Sequence, residues 1–184
     1  MVILLDVRYH RDPPGQSQQG DVLGAQQWEW LESVLRESQA SMHFIVSGST
    51  IIPPMYASKE TWRNYPGAFK RLFKLLKDVS GPVLLTGVRH FSGFMTKQIG
   101  GRVYPEFMSS GMTHSKTDNG FLSVLLYKFI WGFGNSNMEQ NFGHIRINRS
   151  TNTEVVFESR RTDGSVVFAR KLKLDASGNW ADTR

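Results

Sequence analysis

The sequence predicts an α/β fold, a mixed sheet with helices followed by C-terminal antiparallel strands. Three observations carry this expectation. The first 86 residues alternate in the order strand, helix, strand, helix, strand, which argues for a layered sheet with helical crossovers. Residues 102–108, 143–148, 154–159 and 166–174 then read as strands with no such alternation. Residues 161–165, RTDGS, are a hairpin signal, because Asp-Gly supplies positive φ at little cost.

Each element has its own justification. Residues 2–7, VILLDV, form an apolar strand that runs into a charged turn. Residues 12–21, DPPGQSQQGD, are loop by their Pro, Gly and Gln content. Over 24–37, Trp28, Leu31, Val34 and Leu35 recur at helical spacing while Gln27, Glu29, Glu32 and Arg36 lie elsewhere. Residues 42–47, MHFIVS, are a second strand, closed by GST and the IIPP breaker. Over 66–78, Phe69, Leu72, Phe73 and Leu76 form a stripe opposite Lys70, Arg71, Lys74 and Lys77. Pro66 suits the first turn, where its missing N–H had no partner. Residues 82–86 are the third strand.

Residues 121–131 read as a short, largely apolar helix between Gly120 and Gly132. Leu122, Leu125, Leu126, Phe129 and Ile130 cover more than one face, so burial on several sides is expected. The segment is too short to span a bilayer. With 184 residues, the chain fits one domain over 1–184, a β-α-β part over 1–115 and a helix with antiparallel strands over 116–184. The four apolar residues between Met1 and Asp6 are too few for a signal peptide. The compartment stays open.

A net charge of +6 favours anionic partners, among them phosphate esters, nucleic acid and acidic lipid, without choosing between them. The chain has no cysteine, which excludes disulfides, thiolate-bound zinc and a thiol nucleophile. Gly-x-Ser-x-Gly, Walker and Gly-x-Gly-x-x-Gly motifs are absent.

Candidate chemistry follows apolar strands, and Asp6, Arg8, His90, Ser110 and His114 are expected to converge near the ends of adjacent strands. LLTGVRHFSGFM, 84–95, places His90 just past an apolar run, where an imidazole can hold a metal or a phosphate. A histidine capping a strand end is the commoner outcome. Asp6 and Arg8 are two apart and share a face; they suit a phosphate-bearing ligand or a mutual pair. Ser110 and His114 lie in SSGMTHS, 109–115, a site lining or a turn whose hydroxyls satisfy local backbone.

In order along the chain come LLDVRYHRDP at 4–13, DVLGAQQWEWLESVL at 21–35, HFIVSGSTIIP at 43–53, ETWRNYPGAFKRLFKLL at 60–76 and LLTGVRHFSGF at 84–94. YPEFMSSGMTHS at 104–115, NFGHIRI at 141–147 and the hairpin at 155–174 follow. This ordered set resembles the PhoD-like (alkaline phosphatase D-like) metallophosphoesterases of the calcineurin-like superfamily, over the C-terminal half of their catalytic domain. The resemblance implies half of a metallophosphoesterase-type layered sandwich. It implies hydrolysis of phosphomonoesters or phosphodiesters by the complete domain, whose divalent or mixed metal ions activate water.

The family pattern has Gly-Asp-x-His where this chain has Gly87-Val88-Arg89-His90. His90 matches a catalytic or metal-ligand position, while Val88 replaces the expected Asp. A Gln common near the end of the second strand is absent from Gly48-Ser49-Thr50. The resemblance thus implies a remnant site holding no stable metal and a chain inactive alone, partnered by a missing N-terminal half or by itself. The alternative is a catalytically dead binding or scaffold domain of the same origin; nucleic-acid binding is disfavoured. The strands at 2–7 and 82–86 are apolar enough to expect cover on both faces, so an exposed apolar face or edge is expected.

Overall fold

The structure is a computed structural model that describes residues 1–14, 20–52, 61–117, 121–131, 135–149 and 153–182. Gly120 and Gly132, expected to bracket a helix, lie outside the described residues. The first elements are β1 (Val2–Leu5), α1 (Ala25–Glu37), β2 (His43–Ser47), α2 (Pro66–Leu76) and β3 (Pro82–Thr86). A hairpin of β4 (Ser92–Ile99) and β5 (Arg102–Ser109) follows, then α3 (Phe121–Trp131) and β6 (Ser136–Asn137). The last strands are β7 (Asn141–Arg149), β8 (Thr153–Arg161), β9 (Val166–Leu174) and β10 (Trp180–Asp182).

Six strands form one sheet in the order β1-β2-β3-β5-β4-β6. β1, β2, β3 and β5 are parallel, and β4 runs antiparallel to β5 and β6. The other four form an antiparallel sheet, β10-β9-β8-β7. The β8–β9 turn closes at Gly164, φ 85°, with the Gly164 N–H donating to Arg161 O, as the Asp-Gly pair predicts.

Two cores follow from the two faces of the larger sheet. On one face Ile3, Leu5, Ile45 and Leu84 pack against Trp28, Leu31 and Leu35 of α1 and Leu72, Phe73 and Leu76 of α2. On the other, Phe44, Val83, Phe94 and Phe107 meet Phe157, Phe168 and Leu172 of the antiparallel sheet. Full burial of such side chains stabilises by about 1.5–3 kcal/mol each. The fully buried tryptophans Trp28, Trp62 and Trp180 each keep a partner for the indole N–H, namely Asp21 Oδ1, Ser47 Oγ and Pro82 O, as burial of that donor requires.

The outward face of the antiparallel sheet is polar. Glu158 accepts hydrogen bonds from His144, Arg146 and Arg160. Burial alone would raise its pKa, but these bonds outweigh it and hold it at about 2.

Two expectations need correction. β4 is a strand that periodicity did not reveal, since alternation appears only in its second half, where Thr96 and Gln98 are exposed. α3 is helical, but Leu122 is 80% and Phe129 77% exposed, so it is not buried on several sides. Val124 anchors it on the small cluster around Phe91 and Met108. No helix among the described residues is long and apolar enough to cross a membrane.

Candidate functional site

The carboxyl ends of the parallel strands are level. Leu5 of β1 is in register with Ser47 of β2, Ser47 with Thr86 of β3, and Thr86 with Met108 of β5. The segments after these strands therefore share one edge of the sheet, the place where open α/β sheets offer clefts.

After β3 the chain reverses through residues 87–91. Val88 has φ 77° and His90 φ 60°, left-handed values that disfavour L side chains, above all a β-branched one. Ser110, just beyond β5, holds the turn. Its Oγ accepts from the Arg89 N–H at 3.0 Å and the His90 N–H at 3.1 Å, and its own N–H donates to Phe91 O at 3.2 Å. The His90 and His114 rings lie 5.3 Å apart with a 31° tilt. The hydroxyl of Thr113 is 3.0 Å from His114 Nδ1. Three sequence candidates, His90, Ser110 and His114, thus stand together. Strain of this kind costs on the order of 1–3 kcal/mol per residue. Val88→Asn, which tolerates the left-handed region, should raise stability by about 1 kcal/mol in urea denaturation; an unchanged or lower midpoint would remove the strain account.

Asp6 and Arg8 follow β1 on the same edge, two strands from β3. At the usual strand spacing that is about 10 Å away. The Asp6 carboxylate accepts from the N–H groups of Arg8 at 2.9 Å and Tyr9 at 3.0 Å, and the Tyr9 and Arg8 bonds lower its pKa. Gln27 ties both main-chain groups of Asp6 to α1. Asp6 shapes the turn that presents Arg8.

Glu106 is a group that sequence reasoning missed. It lies on β5, wholly buried. Its carboxylate accepts from the Ile51 and Ile52 N–H groups and from Thr86 Oγ1 at 2.6 Å. It thereby locks the loop after β2 to the end of β3. Burial pushes its pKa up to about 7, against the opposing pull of Thr86, Ile52, Ile51 and Arg89. The signal was a lone acid inside YPEFM, an otherwise apolar strand.

Beside this edge lies an apolar groove of about 540 Å³ between the sheets, lined among others by Val46, Leu85, Phe107, Met112, Phe142 and Ile145. Residues 86–88 reach its rim, whereas His90, Ser110 and His114 are not among its lining.

Among the described residues no group of three or more His, Asp or Glu stands together as metal donors. His90 and His114 supply two imidazoles, and Val88 has no donor. A two-metal phosphoesterase centre needs several oxygen and nitrogen ligands around each ion, so the described residues do not fit one by themselves.

No family model and no curated protein matches the sequence. A solved structure described as "Structure of PhoD" aligns with 100% of this chain at a TM-score of 0.66 and 17% identity. The fold is PhoD-like. The chain spans 41% of the length of that PhoD chain. In this PhoD-like fold the antiparallel sheet covers one face of the larger sheet, and α1 and α2 cover the other.

Proposed function

We propose that this chain is the C-terminal half of a phosphoester-hydrolysing domain of the calcineurin-like type, supplying a phosphate-ester contact and lacking turnover by itself. The observation that carries the reading is a PhoD-like fold over the whole chain with His90, Ser110 and His114 at the carboxyl edge of β3 and β5. Arg8 presents a planar donor fork on that edge, a geometry suited to phosphate oxygens. The excess of basic residues attracts such an ester.

Titration with inorganic phosphate, followed by NMR, tests this. Saturable shifts of the His90, His114 and Arg8 side-chain signals, abolished for His114 by His90→Ala, are expected. Absence of shifts at millimolar phosphate would overturn the phosphate contact. The second reading, a catalytically dead scaffold of the same origin, is favoured by Val88, and would be selected if phosphate binds but no added polypeptide restores turnover.

A further polypeptide completes the domain in this proposal, and β1 is where it docks. β1 is the edge of the six-stranded sheet. Val2 is 61% and Leu4 69% exposed, on an edge without the charge or proline that natural edge strands use for protection. Register puts Val2 and Leu4 on the face of Phe44, Val46, Val83 and Leu85. The antiparallel sheet covers Phe44 and Val83 but leaves Val46 and Leu85 half-buried. The isolated chain should therefore self-associate or bind a hydrophobic dye. Val2→Lys with Leu4→Lys should cut either several-fold while shifting stability by under about 0.5 kcal/mol per site, as exposed positions do. A dye-silent wild-type monomer at high concentration would count against the docking surface.

A further inference from the structure

We propose that a groove between α2 and the β4–β5 turn binds an amphipathic organic anion, its apolar body on Phe69, Phe73 and Ile99 and its head among Lys70, Lys74 and Lys77. The groove lies at the start of β5 near Arg102; Ser110 follows the other end of that eight-residue strand, roughly 23 Å away. It is separate from the site described above and does not depend on the phosphoesterase reading.

Its volume is about 520 Å³, within the common range for small-ligand clefts of about 300–1,000 Å³. The floor is aromatic: the Phe69 and Phe73 rings are 4.7 Å apart, and Phe73 meets Tyr104 edge-on at 4.8 Å. Tyr104 is 1% exposed and lines the groove. Burial raises the Tyr104 pKa, so the hydroxyl stays a donor that a ligand acceptor can meet.

The rim supplies the charge. Lys70, Lys74 and Lys77 are exposed and fall on one line of the helix. Lys70 and Lys74 have no ion-pair partner among the described residues, and Lys77 meets only the exposed Asp78 at 3.6 Å. Like charges four apart destabilise a helix, and a bound anion relieves that repulsion. Ordered aromatics beneath a row of cations recognise a molecule with an apolar body and an anionic head.

Calorimetric titration of the full chain with 2-naphthalenesulfonate, decyl phosphate and neutral 2-naphthalenemethanol tests the proposal. At least one anion should bind, with the neutral analogue at least tenfold weaker. Lys70→Glu with Lys74→Glu should weaken the anion at least tenfold, and Tyr104→Phe several-fold, with unchanged thermal midpoints. Tighter sulfonate identifies an aromatic body, and tighter decyl phosphate an acyl one. Equal binding of the neutral analogue, no binding of either anion at millimolar concentration, or affinity unchanged in the lysine variant would overturn the proposal. So would binding lost on Leu4→Lys instead, which places the anion on the β1 surface.

Discussion

Purified alone, the chain will hydrolyse p-nitrophenyl phosphate and bis(p-nitrophenyl) phosphate no faster than buffer, with Mn²⁺, Ca²⁺, Fe³⁺ or Zn²⁺ added in turn. Enzymatic acceleration of such reactions is on the order of a millionfold or more. For metal-dependent esterases it depends on charge held at the phosphoryl oxygens and on an activated water. His90 and His114 are two neighbouring imidazoles, and no three donors gather among the described residues. Valine at position 88 cannot replace a carboxylate as ligand. Turnover clearly above the buffer rate and lost on His90→Ala would refute this expectation. It would show that the chain carries a working centre of its own.

Stability will fall as pH rises from about 5 to about 7.5, and Glu106 will be the cause. The folded carboxyl titrates near 7, while an unfolded glutamate titrates near 4.3. Between those values the folded state holds the extra proton, so raising pH favours unfolding. The loss is about 3 kcal/mol above pH 7, or roughly 10 °C in thermal midpoint for a chain of this size. His43, hydrogen-bonded to Ser80 O and Ser38 Oγ, has its pKa lowered by burial and acts in the opposite sense. The difference between wild type and Glu106→Gln isolates the carboxyl, and the variant should show the flatter decline. Glu106→Ala strands the Ile51 and Ile52 N–H groups and the Thr86 hydroxyl, at a cost of about 3–5 kcal/mol. Melts of all three proteins from pH 5 to 8.5 decide it; a wild-type curve parallel to that of Glu106→Gln would remove Glu106 as the cause.

The two groups at the centre of these predictions were not equally legible. His90 stood out because a histidine after an apolar run marks a strand end. Its neighbour His114 was legible in the same way, as a residue past an apolar strand expected to converge with His90, and the β3–β5 pairing brings their turns together across 24 positions. Glu106 gave a weak signal because one acid inside a strand says nothing of the donors above it. The main-chain donors come from the loop after β2, more than 50 residues away, and the Thr86 hydroxyl from the end of β3.

By itself the sequence determined the periodic elements: β1, α1, β2, α2 and β3, the later strands β5, β7, β8 and β9, and the Asp-Gly turn. Side-chain spacing records which face of a segment avoids water, and that is a local property. It also carried the likeness to PhoD, which the fold bears out. Only the tertiary structure decided the insertion of β5 between β3 and β4, the exposure of α3, which side of β1 lacks cover and the burial of Glu106. A pattern of apolar residues states that a face needs cover without stating what covers it, and strand order, partner and burial are settled by contacts between segments distant in the chain.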